Sequence, residues 1–372
     1  MIFGDTIQRK IGEKMKKVLI SPTLGLDLEG ITTVIYNYTS AMDRSDLQIS
    51  FLTYGDLKPA VRERFEALGE ILFVSDRKQS TLAYVKDYIA LLKKHRFDVV
   101  HINGNSGTMV IEVLLAKLCG VKNVMVHAHS TRTSHPFVNA VMKTPMMWLA
   151  DTCIACSEAS GQWLYGRHPY TLLNNAIALS NFRYEDALRQ KYREEFGICE
   201  EYLIGHIGHF TEPKNHFFLI DIFEAFHKLE PASKLLLISD GPRFQQVKEK
   251  VAALGLEDAV IFAGRRSDVA GIYSAMDLFI LPSCWEGLPL VLVEAQVNGL
   301  PMLVSEVVTK VARCTDLVHY KPLEDGAQSW ALRLQELVKA PGDRKADHCP
   351  TIAEKGFDIH REAAKLRKLY LK

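Results

Sequence analysis

Runs of four to seven mostly apolar residues alternate with amphipathic stretches along almost the whole chain. In the first half the runs at 18–21, 49–54, 71–75, 99–103, 124–129, 152–157 and 171–174 predict strands. Between them, apolar residues recurring every three or four positions predict helices over 32–42, 82–95, 108–118 and 139–149. Short strands rich in Val, Ile and Leu, each followed by a helix, predict a parallel sheet covered on both faces. The second half repeats the rhythm: strands at 202–207, 234–239, 260–263, 278–281 and 302–305, helices at 216–229, 244–254, 269–275, 290–298 and 327–338. The expected fold class is α/β, with two doubly wound Rossmann-like parallel-sheet domains facing across a cleft.

A length of 372 residues agrees with two domains at roughly 100–200 residues each. The break is expected near 176–182, before a charged helix over 184–196, and a last helix at 359–371 follows the charged, Pro-containing stretch 339–350. Residues 1–14 are read as a disordered lead-in, because Met15-Lys16-Lys17 feeds directly into the first strand. This gives one domain over 15–178, completed by a C-terminal helix over 357–372, and a second over 179–356.

Composition adds exclusions. Apolar residues at 48% and charged residues at 24% describe a packed globule rather than a disordered or fibrous chain. A net charge of +1 provides no global field for nucleic acid, and no nucleic-acid partner is expected. The apolar runs are far shorter than the ~20 residues of a membrane helix. Seven scattered cysteines read as free thiols of a reducing compartment. Cys153 and Cys156 form a CxxC, but no second pair or close histidine pair completes a metal site.

The segment from Leu281 to Ser305 carries the most chemistry. A buried strand ends at Leu281-Pro282, a loop holds Glu286 and Gly287, and Pro289 suits the first turn of a helix. That helix stops at Asn298-Gly299. The amides of Gly287, Leu288 and Leu290, with Pro289 among them, form a helix start that suits phosphate. Glu286 and Glu294 lie about two turns apart along the chain. As an isolated pair they would read as a helix-capping carboxylate and a solvated helix residue.

In its setting, Pro-Ser-Cys-Trp-Glu286-Gly-Leu-Pro-Leu-Val-Leu-Val-Glu294-Ala, the pair resembles the E-x7-E of retaining glycosyltransferases of family 4, which have the GT-B fold. The resemblance runs from Met15 onward. It takes in Gly30-Ile-Thr-Thr, His129, the segment from Gly208 through Lys214 to His216, Ser239-Asp-Gly241-Pro, Gly264-Arg265, Tyr273-Ser-Ala-Met-Asp277 and the closing helix from Phe357. It is closest to the type found in bacterial capsule and exopolysaccharide gene sets.

The resemblance implies transfer of a sugar from a nucleotide donor with retention. The first domain would take the acceptor and the second the donor. Glu294 would hold the donor ribose and Glu286 the donor sugar. Residues Gly287, Leu288, Pro289 and Leu290 would cradle the diphosphate, and Lys214 would pair with it. His129 would lie by the reacting centre, Gly30 and Gly241 would let backbone approach the donor, and Arg265 would lie near the base. No metal and no cofactor are implied, and no Asp-x-Asp cluster is present.

Four positions depart from the family pattern. His209 stands where the family has Arg, five residues before Lys214; an arginine is always charged and bidentate, whereas a histidine carries partial charge near neutrality. Glu29-Gly30 replaces Gly-Gly, Ser239 replaces a glycine, and Ala178 replaces an aspartate. The expected activity is a metal-independent retaining transfer of a hexose from a nucleotide sugar, expected to be a UDP-sugar, to a lipid-linked or polysaccharide acceptor. The alternative is a non-catalytic subunit that binds nucleotide sugar or stabilises an active enzyme, with a protein partner. The location expected is cytoplasmic, with peripheral contact at the inner membrane face through the basic stretch 86–96. Met142, Met146, Met147 and Trp148 are read as core packing, with an acceptor- or lipid-facing patch as the other reading. His127 and His129 are two apart on one strand and share a face.

Overall fold

The structure is a computed structural model that describes residues 15–27, 30–133 and 135–372; the expected lead-in 1–14 and Glu29 lie outside the described residues. The chain divides into two compact units. One runs to Ala176 and takes in Ile359–Lys372; the other is Ile177–Asp358.

The first unit holds β1 (Lys16–Pro22), β2 (Leu47–Thr53), β3 (Glu70–Phe73), β4 (Val99–Gly104), β5 (Asn123–Ala128), β6 (Thr152–Ala155) and β7 (Thr171–Leu172). They form one sheet in the order β3-β2-β1-β4-β5-β6-β7, parallel throughout. Its helices are α1 (Ile31–Ala41), α2 (Pro59–Glu66), α3 (Thr81–His95), α4 (Val110–Leu118), α5 (Pro136–Leu149) and α6 (Glu158–Tyr165). All six residues of β4 are buried, as expected for a central strand covered on both faces.

The second unit repeats the plan with β8 (Tyr202–Ile207), β9 (Ser233–Ile238), β10 (Val260–Gly264), β11 (Leu278–Leu281), β12 (Met302–Ser305) and β13 (Val318–Lys321). Their order is β10-β9-β8-β11-β12-β13, again parallel. The helices are α7 (Asp186–Glu195), α8 (His216–Leu229), α9 (Phe244–Ala253), α10 (Val269–Ile272), α11 (Leu290–Val297), α12 (Gly326–Lys339) and α13 (Cys349–Glu354). Every side chain of β11 is fully buried. Truncating Ile280 to Ala at its centre would cost about 2–5 kcal/mol.

The last helix, α14 (Ile359–Leu371), belongs to the first unit and packs on α1 and β1. Its inner face carries Ile359, Ala363, Leu366, Leu369 and Tyr370. Polar ties fix its end: Lys16 Nζ donates to the Leu371 carbonyl at 2.7 Å and Asn123 Nδ2 to that of Leu369 at 3.0 Å. Where the chain enters the second unit it meets the strand leaving it, with Ile177 N–H donating to the Phe357 carbonyl at 3.0 Å and a parallel bridge to Asp358.

Each sheet has one topological switch point, between β1 and β4 and between β8 and β11. In open parallel sheets, the carboxyl ends of the strands at such points are where ligands bind. The sequence reading omitted β13 and the helices α2, α6 and α13. The helix expected over 290–298 does begin at Leu290; Pro289, expected to suit its first turn, caps it instead, with an extended ψ of 99°.

Candidate functional site

At the switch point of the second unit, the loops after β8 and β11 are tied together. The first begins with Gly208, where a Cβ would lie 2.9 Å from His206 Nε2 and 3.1 Å from Lys214 Cδ. It ends in a 3-10 turn, Glu212–Lys214, closed by Asn215 in the left-handed conformation (φ 56°). Asn215 Nδ2 donates to the Pro282 carbonyl at 3.1 Å, and Cys284 N–H donates to the Pro213 carbonyl at 2.7 Å. These contacts fix the two loops in register.

The result brings Lys214 and Glu286 together. Lys214 Nζ donates to Glu286 Oε1 at 2.6 Å, and Ser283 Oγ donates to the same oxygen at 2.8 Å. The lysine side chain is 19% exposed and the glutamate 12%, so the pair is reachable yet largely desolvated. Below it, the His216 ring stacks on Phe210 at 4.1 Å and meets His206 edge-on at 4.8 Å. Burial and the charge of Lys214 push the His216 pKa down to about 4, and burial holds His206 well below its usual range. The floor is neutral, which leaves Lys214 as the cation at this point.

Glu294 lies on α11 in a separate setting. Tyr273 Oη donates to its Oε2 at 2.7 Å, and burial raises the Glu294 pKa to about 7. It is therefore no solvated helix residue: the residues around it on α11, from Leu292 to Val297, are buried. The helix ends as the sequence predicts, with Asn298 as cap and Gly299 at φ 68°.

A second polar group gathers on Asp240. Arg265 Nε stands 2.7 Å from one carboxylate oxygen, and His209 Nδ1 stands 3.3 Å from the other. Arg265 beside it holds the Asp240 pKa below the usual carboxylate range. A Cβ on Gly241 would fall 2.6 Å from the Phe210 nitrogen, so only glycine fits there. Ser239, in the position of a family glycine, takes φ 132°, a conformation that suits glycine and strains serine.

In the first unit, His129 follows the carboxyl end of β5. Its ring lies on that of His127 at 4.0 Å, and His127 stacks on His101 at 5.4 Å. Asn103 Nδ2 donates to the His101 carbonyl, so Asn103 Oδ1 is the acceptor that faces His129 Nε2 at 2.9 Å. This network assigns the His129 proton to Nε2. Nδ1 is then an acceptor that is itself buried and has no hydrogen-bond partner among the described residues. Burial depresses the His129 pKa to about 3, so the ring is neutral. Gly30 caps α1 with φ 64°; nothing lies within 4 Å of the Cβ it lacks, so the backbone angle, not space, calls for glycine.

Tyr273, Ser283, Asn103 and Asp240 were not singled out as site residues by the sequence. Tyr273, Ser283 and Asp240 lay within motifs quoted for their resemblance; nothing in the chain order linked Asn103 to His129. Leu288 and Leu290 are half-buried, Pro289 is buried and Gly287 is exposed at the start of α11. Among the described residues no three His, Cys, Asp or Glu side chains are grouped to share a metal ion, and no helix is long and apolar enough to cross a membrane.

Residues 28–179 match the family described as Glycosyltransferase Family 4, and residues 189–315 match Glycosyl transferases group 1. The chain is 30% identical over 362 residues to EpsF of Bacillus subtilis strain 168, named as a glycosyltransferase, covering 93% of this chain and 94% of that one. It is 24% identical over 300 residues to an Escherichia coli UDP-Gal:alpha-D-GlcNAc-diphosphoundecaprenol alpha-1,3-galactosyltransferase, covering 76% and 77%. Among solved structures, HepE of Anabaena in complex with UDP and glucose superposes with a TM-score of 0.74 at 16% identity, covering 95% of this chain and 98% of HepE. A glycosyltransferase from Rickettsia africae ESF-5 does so with a TM-score of 0.77 at 15% identity, covering 96% and 98%. With two parallel Rossmann-like sheets and a full-length relative at this identity, the chain belongs to glycosyltransferase family 4, with the GT-B fold, and to its exopolysaccharide type.

Proposed function

We propose that this glycosyltransferase moves a sugar from a UDP-sugar to a lipid-linked glycan, with retention at the anomeric carbon and without a metal ion, in the synthesis of a capsule or exopolysaccharide. The observation that carries the reading is the Lys214–Glu286 pair at the switch point of the second sheet, 2.6 Å apart and braced by Ser283. A leaving diphosphate needs its growing negative charge met by groups already in place, and a fixed lysine beside the amides at the start of α11 supplies them. In this reading Lys214 meets the diphosphate, Glu286 then turns its carboxylate to the donor sugar hydroxyls, and Glu294 accepts from the ribose diol. His129 lies by the reacting centre, its neutral ring held by Asn103.

The donor base and acceptor class draw support from relatives. HepE binds UDP and glucose, and the Escherichia coli relative is named for a UDP-Gal donor and a diphosphoundecaprenol-linked acceptor. Polysaccharide synthesis is named for a 35%-identical segment of a Salmonella typhi Vi polysaccharide protein and for the amylovoran enzyme of Erwinia amylovora.

The test is a thermal-shift panel of UDP, GDP and their sugars, with Glu294→Ala as control, in buffer with a chelator. A ligand at 100 times its Kd adds about 2.7 kcal/mol of stability. Stabilisation by a UDP compound in the native protein but not in the variant is expected. Transfer from that donor to a lipid-diphosphate glycan, with the product anomer matching the donor by NMR, would complete the reading. Stabilisation by GDP alone would overturn the donor assignment, and an inverted product would overturn retention.

A further inference from the structure

Glu286 and Glu294 are each held by one carboxylate oxygen only. On Glu286, Oε1 takes both hydrogen bonds, from Lys214 Nζ at 2.6 Å and from Ser283 Oγ at 2.8 Å. On Glu294, Oε2 takes the bond from Tyr273 Oη at 2.7 Å. Among the described residues nothing bonds to Glu286 Oε2 or Glu294 Oε1, and neither oxygen is sealed from solvent. An ionised carboxylate accepts along about four directions, so each acid keeps a whole oxygen for an incoming hydroxyl.

The holding hydroxyls are themselves fixed. Ser283 is fully buried, and the residues on either side of it are tied to the loop after β8: the Pro282 carbonyl accepts from Asn215 Nδ2, and Cys284 N–H donates to the Pro213 carbonyl. Its hydroxyl has a single proton, which goes to Glu286. Tyr273 is fully buried at the start of the 3-10 turn Tyr273–Ala275. Its ring stands edge-on to Phe182 at 6.1 Å and tilted to Phe279 at 6.0 Å, and Arg344 Nη2 donates to its carbonyl at 3.2 Å. The Val291 carbonyl, 3.4 Å from the phenol oxygen, is a weaker partner than the carboxylate. Lys214 differs: it is a flexible amine with three protons, free to turn to a diphosphate while the serine hydroxyl keeps its bond to Glu286.

We infer that Ser283 and Tyr273 are the positioning residues of donor recognition: each pins one carboxylate oxygen, so that Glu286 Oε2 meets a hydroxyl of the donor sugar and Glu294 Oε1 meets the ribose diol already oriented. The inference rests on the nucleotide-sugar reading and deepens it. Ser283 acts on recognition of the sugar, Tyr273 on recognition of the nucleoside, and neither touches the donor. The substrate class is a nucleotide sugar with a free hydroxyl facing Glu286.

The test is calorimetry of the full chain with UDP, 2′,3′-dideoxy-UDP, UDP-glucose, UDP-galactose and UDP-N-acetylglucosamine. Ser283→Ala is expected to leave UDP affinity within about 3-fold of native and to weaken the best-bound UDP-sugar about 10-fold, the loss of one hydrogen bond to a charged group. Ser283→Thr restores the hydroxyl and the affinity; should its extra methyl prevent folding, Ser283→Ala decides alone. Tyr273→Phe is expected to weaken UDP about 10-fold and to leave 2′,3′-dideoxy-UDP within about 3-fold, so that the native preference for the diol is lost. It should also move the acid limit of UDP-sugar binding to higher pH, because burial raises the Glu294 pKa and the Tyr273 bond offsets part of that rise. Hydroxyls that merely support the fold would weaken all these ligands alike; that result, or variants that bind every ligand as the native protein does, overturns the inference alone. Native protein that binds neither UDP nor any of the UDP-sugars overturns the functional reading, and the inference falls with it.

Discussion

Tyr273, without solvent exposure, donates its hydroxyl to Glu294, and that carboxyl titrates near pH 7 because it is buried beside it. A ribose diol needs the ionised form as acceptor. A raised pKa means that a proton must be removed before binding below neutrality. Donor affinity is therefore expected to weaken about 10-fold from pH 8 to pH 6. Calorimetry with a UDP-sugar, whose diphosphate does not titrate in this range, checks this; Glu294→Gln should bind weakly at both pH values with no such slope.

The same carboxyl has a stability consequence of opposite sense. Its folded pKa lies above the ordinary glutamate value of 4.5, so the folded state holds the proton more tightly. Stability from this group is present in full below about pH 4.5 and is lost as pH rises through about 7. Glu294→Gln is expected to raise the unfolding free energy at pH 8 more than at pH 6, by a difference of about 1–3 kcal/mol read from urea titrations at the two pH values. A variant that loses donor binding while gaining stability at alkaline pH would mark Glu294 as a residue kept for function.

Removing Lys214 leaves Glu286 in a desolvated place with Ser283 as its remaining partner. Lys214→Met is expected to lower kcat by about 10²–10³-fold, as loss of one preorganised donor does. It should also destabilise the fold by about 3–5 kcal/mol through the uncompensated charge. Adding Glu286→Gln should recover much of the stability and none of the activity. Urea titrations of the native protein, Lys214→Met, Glu286→Gln and the double variant give the coupling directly.

Ser239 at φ 132° holds a conformation open to glycine. Ser239→Gly is expected to stabilise the protein by about 1 kcal/mol, the strain relieved less the entropy glycine loses on folding. A lower midpoint in urea would show that the serine side chain makes up for its backbone.

His209 shares Asp240 with Arg265. An arginine at 209 is always charged and can meet a diphosphate with two N–H groups, so His209→Arg is expected to tighten donor binding about 10-fold by calorimetry. Unchanged affinity would show that His209 does not meet the diphosphate.

Much of this architecture was readable because the buried parallel strands are apolar at most positions. Leu278–Leu281 could be nothing else. β13 was not readable: in Val-His-Tyr-Lys only Val318 is buried, as befits an edge strand, and its pattern resembles a loop. The Glu286 and Lys214 candidates were legible as motif residues, but their mutual contact was not, since 72 positions separate them and only the strand order joins them. The partner of Glu294 was hidden for the same reason. For α5, periodicity disclosed an amphipathic helix, and the sequence put Met142, Met146, Met147 and Trp148 together in the core. Packing splits them, with Met146 and Met147 inside and Met142 and Trp148 outside, because the turn at Gly107 receives the face that carries Asn139.

The contribution of α14 to the first sheet has a bearing on synthesis. Tyr370 Oη meets His101 Nδ1 at 2.7 Å, deep in the first unit, and it arrives on the last helix of the chain. A ribosome releases β1 to β7 long before that helix exists. Until it does, the groove beside α1 and β1 lacks its cover, and an apolar strip of the sheet stands open through the whole translation of the second unit. The first unit thus begins folding first and finishes last.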